Sequence, residues 1–350
     1  MRLVVNAGTL RGAGSSRVGK GLLGALARRG DLSITTFAPS EWRVPAGVLH
    51  RRTRPGLPRK LWTDQVRAPH ALRRADALLS LTDTGTIAPG RPHVLLVHQA
   101  YLAYRPEEHG LPLPRAFAWK MQAMTQALRA TLPGVSVVTV QTRDMRDRMI
   151  ERFDLDPARV RVIPSAVELP PHAEGRSSEP YLVYVAAASC HKGHDDLPAV
   201  LAATRHELPI VLTATPEQLP RVVREARRRG VEHRIRFVGR VAHDEALRLQ
   251  AGAAVAVIPS RLESFGLPYY EAIALGTPLV AWDLPFAREA AGDAARYAPV
   301  GDPLAMAEAI DATLDDLDAS RARVVARRPR VARSWDEVGE DYAQLLQALT

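Results

Sequence analysis

The chain has 350 residues, too many for one small module and enough for two domains of about 150 residues each. Apolar residues make up 46% and charged residues 24%, which excludes a disordered chain, while a single cysteine excludes a disulfide scaffold and favours the reducing cytoplasm. The net charge of +9 is uneven, because residues 1–175 hold 26 Lys and Arg against 14 Asp and Glu, and residues 176–350 hold 21 against 24.

Short β-branched runs alternate with longer amphipathic runs in the first half, which is the βαβ pattern of a parallel sheet. Strands are predicted near residues 3–6, 33–37, 77–80, 94–98, 137–141 and 160–163, and helices near 17–29, 115–131 and 143–153. A linker is predicted at residues 168–180, which hold three prolines and one large apolar residue.

The same alternation begins again after the linker. Strands are predicted near residues 181–186, 210–213, 235–238, 255–258 and 279–282, and helices near 193–204, 217–229, 243–251 and 268–275, with more helix from 303. The last helical run places Trp335, Tyr342 and Leu349 on one face. The sequence therefore predicts an α/β protein with two parallel-sheet domains and a final helix.

The most informative stretch is residues 259–278, which directly follow an apolar strand. Ligands of parallel sheets bind at the carboxyl ends of the strands. Gly266 lets a ligand approach the backbone, and Pro268 suits the first turn of a helix whose N-terminus attracts phosphate. Glu263 and Glu271 flank this phosphate site and suit hydroxyl groups on either side of it. The alternative is an ordinary loop carboxylate and a glutamate that the helix dipole favours.

The spacing of Glu263 and Glu271 resembles the Glu-x7-Glu signature of glycosyltransferase family 4, the retaining transferases of GT-B fold. The likeness continues through residues 277–280, 288–295 and 299–303, whereas the N-terminal half matches in outline only. It implies two Rossmann-like domains facing a cleft, with a final helix that packs back on the first domain. The domains would be 1–167 on the acceptor side and 181–333 for the nucleotide sugar, followed by the helix 334–350.

The resemblance also implies roles for individual residues. Glu271 would hold the donor ribose, and Glu263 would contact the hydroxyls of the transferred sugar. Ser264 and the backbone of Phe265, Gly266 and Leu267 would meet the diphosphate. Lys192 would neutralise the leaving diphosphate, where a fixed cation stabilises the transition state.

One feature of the family is missing. In the family, the strand before Lys192 usually ends in Gly-Arg, and that arginine also binds the diphosphate. In this chain, residues 184–189 read Tyr-Val-Ala-Ala-Ala-Ser, so the arginine is missing near Ala187. Two explanations stay open: Lys192 and the helix dipole suffice, or Arg240 supplies the second cation. Arg240 follows Gly239 directly after a predicted strand, which favours a place at the same edge of the sheet.

The N-terminal half contributes two further candidate segments. Gly12 and Gly14 lie between the first strand and the first helix, and they resemble the family's glycine-rich loop, where the backbone approaches the donor. The same stretch nearly matches a P-loop, but Gly21 stands where Ser or Thr would bind Mg²⁺. His98 ends a buried strand and resembles the family histidine that borders the donor sugar. Gln99 replaces the usual aspartate after it.

No metal site is predicted, and no cofactor besides the nucleotide sugar. The Asp-x-Asp motifs at 154–156 and 316–318 lie at helix ends or linkers, and His191 with His194 and Asp195 lacks a further zinc ligand at suitable spacing. The resemblance also implies a reaction that needs no metal.

The sequence therefore predicts a retaining glycosyltransferase that moves a sugar from a UDP- or GDP-sugar to an acceptor hydroxyl. A sugar-nucleotide epimerase of the same fold and a non-catalytic sugar-nucleotide-binding protein are the alternatives.

The basic first half fits an anionic acceptor or a peripheral membrane contact. However, arginine accounts for 43 of the 47 basic residues, as GC-rich coding would produce. No nucleic-acid motif accompanies the charge, so no nucleic-acid partner is expected. The oligomeric state stays open.

Overall fold

The computed structural model describes residues 1–167 and 177–350. The chain divides into two compact units, each of which contains one parallel sheet. The first unit comprises Met1–Glu108, Leu113–Ala166 and Arg333–Thr350, and the second comprises His109–Pro112 and Val167–Ala332. Most of the predicted linker, residues 168–176, lies outside the described residues.

The first unit has a seven-stranded parallel sheet with the order β3-β2-β1-β4-β5-β6-β7. Its strands are β1 (Arg2–Asn6), β2 (Ser33–Pro39), β3 (Leu49–Thr53), β4 (Ala77–Ser80), β5 (His93–Leu96), β6 (Val137–Val140) and β7 (Val160–Val162). Its helices include α1 (Ala13–Arg28), α2 (Leu57–Trp62), α3 (Ala68–Leu72), α4 (Ala100–Ala103), α5 (Pro106–His109), α6 (Arg115–Thr131) and α7 (Arg143–Phe153). A π-helical turn, Thr63–Arg67, joins α2 to α3.

The second unit has a six-stranded parallel sheet with the order β10-β9-β8-β11-β12-β13. Its strands are β8 (Leu182–Tyr184), β9 (Ile210–Leu212), β10 (Ile235–Phe237), β11 (Val255–Ile258), β12 (Leu279–Trp282) and β13 (Ala295–Ala298). Its helices are α8 (Leu197–Ala203), α9 (Pro220–Arg228), α10 (His243–Gly252), α11 (Leu267–Leu275), α12 (Pro285–Ala291), α13 (Pro303–Asp315) and α14 (Leu317–Val331). Among the described helices of both units, none is long and apolar enough to cross a membrane.

The predicted strands are all present, and the α/β prediction of two Rossmann-like domains is confirmed. The prediction missed β3 and β13, because both are edge strands with polar or half-exposed side chains that break the apolar pattern. It also placed the start of the first helix too late. Helix α1 begins at Ala13, so Gly14 lies in its first turn and not in a loop. Packing of the rest of α1 outweighs the poor helix propensity of this glycine.

The last helix, α15 (Trp335–Leu349), packs on α1 within the first unit, as predicted. Ser334 and Glu337 form a capping box at its start. Trp335 is only 3% exposed and belongs to the same core as the strands and α1. The two helices approach closely, because a Cβ atom added to Gly21 would lie 2.1 Å from the Trp335 ring.

The substitution Gly21→Ala is expected to destabilise the fold by about 1–3 kcal/mol, because the new methyl group has no room beside a buried ring. Gly24→Ala on the same helix is the matched control. Its methyl group would meet only the flexible end of Arg28, at 3.4 Å, and alanine favours the helix by about 1 kcal/mol. Urea unfolding of both variants measures the difference. Equal stability of the two variants would contradict the close packing.

Candidate functional site

Two loops meet at the carboxyl edge of the second sheet. Strand β8 leads to a short 3₁₀ turn that ends at Lys192, and the neighbouring strand β11 leads to the loop that carries Glu263. The Lys192 Nζ atom donates a hydrogen bond to Glu263 Oε1 at 2.6 Å. Their side chains are only 16% and 9% exposed. The structure therefore brings two of the predicted site residues into one sheltered ion pair.

Tyr184, the last residue of β8, ties these loops together. Its hydroxyl donates to the Lys192 carbonyl oxygen at 2.9 Å and lies 2.7 Å from Ser260 Oγ. Burial raises the pKa of Tyr184 well above its usual value, and the nearby Glu263 carboxylate raises it further, so the phenol stays neutral. The Arg261 guanidinium adds a two-pronged contact with the Asp196 carboxylate, with shortest distance 2.8 Å. These contacts hold the lysine loop against the glutamate loop.

The two histidines beside Lys192 are neutral at pH 7. Burial lowers the pKa of His191 to about 4 and that of His194 to about 4, and the Lys192 charge adds to both shifts. His194 packs against the Tyr184 ring, with ring centres 4.8 Å apart. In the segment 191–194 the positive charge at neutral pH therefore belongs to Lys192.

The N-terminus of α11 follows the glutamate loop. Gly266 caps this helix with φ +82°, a left-handed conformation, and a Cβ atom there would lie 2.9 Å from the Tyr269 ring. The ring of Phe265 stacks on Tyr270 at 4.0 Å, which holds the loop in place. Glu271 lies in the second turn and is 4% exposed. Thus residues 263–267 and Glu271 belong to one loop-and-helix unit, as the sequence predicted.

Arg240 follows a different strand from the two loops that carry this ion pair. It is exposed and follows β10, the edge strand of the sheet, and β9 lies between β10 and the strand that leads to Lys192. Two strand spacings amount to about 10 Å. A part for Arg240 at the diphosphate stays a prediction, and it would require the side chain to extend along the sheet edge.

In the first unit, His98 has a partner that the sequence analysis missed. Asp83 follows β4, next to the strand that leads to His98. Its Oδ1 atom accepts hydrogen bonds from the backbone N–H groups of His98 at 2.8 Å and Gln99 at 2.9 Å. Its Oδ2 atom lies 3.6 Å from His98 Nε2. A carboxylate from the neighbouring strand thus faces the imidazole, although Gln99 replaces the usual aspartate.

Two further observations set this pair apart. Asp83 has φ 61°, which is unusual for a residue other than glycine and marks a strained position. The Nδ1 atom of His98 is buried and has no hydrogen-bond partner in the described part of the chain. The sequence signal for Asp83 is an aspartate three residues after the end of a buried strand, but nothing local indicates its contact with His98.

A second buried ionic cluster lies at the same edge of the first sheet. Asp64, 2% exposed, accepts a hydrogen bond from the Asn6 side chain at 2.8 Å and forms an ion pair with Lys60. Lys60 also donates to the Thr84 hydroxyl. The sequence did not indicate that these residues meet, because they come from separate elements of the chain.

The glycines near the first strand lie at the start of α1. Gly12 is the N-cap of the helix, and a Cβ atom added to Gly14 would meet nothing within 4 Å, so the backbone there is open to approach. Lys20 lies well inside α1, with its ammonium group 5.6 Å from the centre of the Trp42 ring. It is not at the helix start, where a P-loop lysine would be, and this agrees with rejecting the P-loop.

Substitutions at Asp83 test whether its hydrogen bonds to the backbone of His98 and Gln99 stabilise the fold. Asp83→Ala leaves two backbone donors unpaired and puts alanine at a positive φ, so a loss of about 2–3 kcal/mol is expected. Asp83→Asn keeps one acceptor oxygen and tolerates this conformation, so a loss below about 1 kcal/mol is expected. Chemical unfolding of both variants checks the difference, and equal losses would be evidence against the backbone contacts.

Comparison with known proteins gives two family models that match in tandem. The model described as Glycosyltransferase Family 4 matches residues 13–169, and the model described as Glycosyl transferases group 1 matches residues 170–328. Among curated proteins, a glycogen synthase of Mycobacterium tuberculosis is 28% identical over 294 residues, which are 76% of this chain and 70% of that protein.

Solved structures share the fold. Sucrose-phosphate synthase from Thermosynechococcus elongatus has a TM-score of 0.78 at 19% identity, and the match covers 100% of this chain and 99% of that one. Anabaena HepE in complex with UDP-glucose has a TM-score of 0.76 at 15% identity, over 100% of both chains. At such identities these matches show the common two-domain architecture.

Proposed function

The chain belongs to glycosyltransferase family 4, and from that membership we propose a retaining transfer of a sugar from a UDP- or GDP-sugar to an acceptor hydroxyl. The observation that carries the proposal is the sheltered Lys192–Glu263 ion pair beside the N-terminus of α11. Cation, carboxylate and free backbone N–H groups together suit a diphosphate joined to a sugar. Domain 1–167 is assigned to the acceptor and 181–333 to the donor, and the single cysteine keeps the cytoplasm as the expected compartment.

Lys192 is assigned to the leaving diphosphate. Negative charge grows on the diphosphate as the bond to the sugar breaks, so a cation held beside it stabilises the transition state more than the ground state. Tyr184 holds the carbonyl group of Lys192 and thereby limits the movement of this loop. Such a site needs little reorganisation during the reaction, because its charges are already in place.

The two glutamates are assigned to hydroxyl groups on the donor. Glu271 would accept hydrogen bonds from the ribose, and Glu263 from the transferred sugar. The backbone from Ser264 to Leu267 would meet the diphosphate, helped by the left-handed Gly266 that turns the loop into the helix. Without a donor, Glu263 pairs with Lys192. No metal ion is proposed at this site.

His98 is assigned to the reaction centre. Its buried Nδ1 atom can accept a hydrogen bond from a sugar hydroxyl while Asp83 faces Nε2. Gly12 and Gly14 are assigned to backbone contacts with the donor.

In the proposed reaction the acceptor oxygen bonds to the anomeric carbon on the face that the diphosphate leaves. The bond from carbon to the phosphate oxygen breaks, and the acceptor proton passes to the diphosphate.

A non-catalytic sugar-nucleotide-binding protein is the second candidate. Ala187 and Ala188 stand where the family has its diphosphate arginine, and Arg240 lies after the edge strand. An epimerase of the same fold is the third. Incubating the donor alone, and then with a panel of hydroxyl acceptors, separates the three, because an epimerase converts the donor alone and a binding protein converts nothing.

Calorimetric titration of UDP, GDP and ADP, with EDTA present, tests the donor site. One nucleotide is expected to bind the wild type, and Glu271→Ala is expected to weaken it at least tenfold, about 1.4 kcal/mol, because the ribose loses its acceptor. The exposed Glu308→Ala is the matched control and should bind as the wild type does. If none of the three nucleotides binds, or if EDTA abolishes binding, the proposed metal-free donor site is wrong.

Turnover of Lys192 variants tests the proposed catalytic cation. Lys192→Gln is expected to lower kcat by about 10²–10³ with a smaller change in the donor KM, because the charge acts mainly in the transition state. Lys192→Gln also leaves the buried Glu263 carboxylate without its cation, which lowers the free energy of unfolding. The double variant Lys192→Gln/Glu263→Gln removes that unpaired charge, so it should recover stability without recovering turnover. NMR of the product reports the anomeric configuration. An unchanged kcat in the folded Lys192→Gln variant would show that Lys192 only supports the fold.

A further inference from the structure

The two faces of the first sheet are covered differently near β1, β2 and β3. On one face, Leu3, Val5 and Ile34 belong to the core that contains α1 and α15. On the other face, Val4 and Phe37 meet only a small cluster with α3. In a sheet of this class both faces are normally covered by helices.

The second face is open because its crossover connections are poor in helix. Residues 40–48, all described, contain no helix between β2 and β3, and the connection from β3 to β4 has only α2, a π turn and α3. A groove of about 600 Å³ remains between the strands and the segment 62–75. Val4, Thr35 and Leu49 form a row across the three strands in its lining, and exposure increases along the row from the buried Val4 to Leu49 on the edge strand.

The groove is strongly basic. Arg2, Arg51, Arg67 and Arg74 line it, and no acidic side chain is among its described lining residues. Arg2 pairs with Asp76 at 3.5 Å. Within the described chain, Arg51, Arg67 and Arg74 have no ion-pair partner, and the Arg67 guanidinium stacks over the Phe37 ring. The positive charges of Arg51 and Arg74 therefore lie beside the apolar floor with neither an acidic side chain nor an aromatic ring against them.

Exposed apolar side chains surround this groove. Helix α2 has no buried residue, and its Leu57, Leu61 and Trp62 are 69%, 49% and 58% exposed. Leu49 and Val66 are 51% and 40% exposed. These five are nearly half of the eleven exposed large apolar residues in the described chain. Together with Arg51 and Arg74 we call them the Trp62 surface.

We propose that the Trp62 surface docks on an anionic lipid membrane. Its exposed leucines and tryptophan can enter the membrane interface, where an aromatic ring is favourable, while the arginines attract anionic headgroups. The exposed apolar side chains lie both in the groove and on helix α2 outside it. A membrane can contact both places at once, because it is broad and carries the same charge over its whole surface. A second copy of the chain fits poorly, because a symmetric contact would set arginines against arginines.

Lys60 lies in the same helix but does not belong to the surface. Its ammonium group faces inward to Asp64 and Thr84 at the carboxyl edge of the sheet. Substitutions at Arg51 and Arg74 therefore leave that buried cluster intact. The membrane contact rests on the Trp62 surface alone and not on the transfer reaction, so vesicle binding without substrates tests it separately.

Co-sedimentation of the full chain with vesicles of phosphatidylcholine alone, and of phosphatidylcholine with phosphatidylglycerol, tests the proposal. Binding is expected only with the anionic lipid and is expected to fall at high salt. Arg51→Glu/Arg74→Glu should weaken it at least tenfold, and so should Leu61→Ser/Trp62→Ser, whose exposed side chains the fold does not need. Arg224→Glu/Arg236→Glu in the second unit is the control, with the same change in net charge at two exposed arginines.

Retained binding in the control and loss in both test variants supports the proposal. Equal loss in control and test variants would mean that overall charge and not this surface binds the vesicles, and would overturn it. Absence of binding to anionic vesicles would also overturn it. So would a dimer in analytical ultracentrifugation that Leu61→Ser/Trp62→Ser dissociates, since the surface would then be covered by a second copy.

Discussion

The ion pair between Lys192 and Glu263 is the contact on which the second unit's site depends. Removing two charges from water is unfavourable unless they are paired and their loops are held in position. Tyr184 and the Arg261–Asp196 contact provide that support, and they do so from residues on both loops. The result is a cation and a carboxylate placed in advance at the carboxyl edge of neighbouring parallel strands.

The first unit uses the same principle with different residues. Asp83 and His98 follow neighbouring strands, and a carboxylate holds the backbone of the adjoining loop while it faces an imidazole. Asp83 has a positive φ, and its carboxylate accepts two backbone hydrogen bonds in this conformation. In both sheets, charged side chains therefore meet where parallel strands end, since separate segments come together there.

The uneven charge of the chain has a structural counterpart in the first unit. Some of its arginines pack against other side chains of the fold. The Arg67 guanidinium, for example, stacks over the Phe37 ring, 5.0 Å from the ring centre. Arg51 and Arg74, by contrast, lie at an open sheet face beside exposed apolar side chains. The base composition of the coding sequence can explain many arginines, but it does not explain why exposed apolar side chains lie beside these two.

Local patterns in the sequence determined the alternation of strands and helices, the two-sheet architecture and the positions of Lys192, Glu263 and Glu271 at or after strand ends. These features depend on the periodicity and turn chemistry of short segments, so neighbouring residues suffice to reveal them. The edge strand β3 escaped the prediction, because the burial that marks a strand is weak there.

Only the tertiary structure decided which side chains meet. The contact of Asp83 with His98 and the bridge from Tyr184 to Ser260 follow from the order of strands in each sheet. The same order places the strand before Arg240 two positions away from the strand before Lys192. Strand order is set by packing between segments far apart in the chain, and no local pattern records it. The open face beside β3 has the same origin, because it depends on which crossover connections form covering helices.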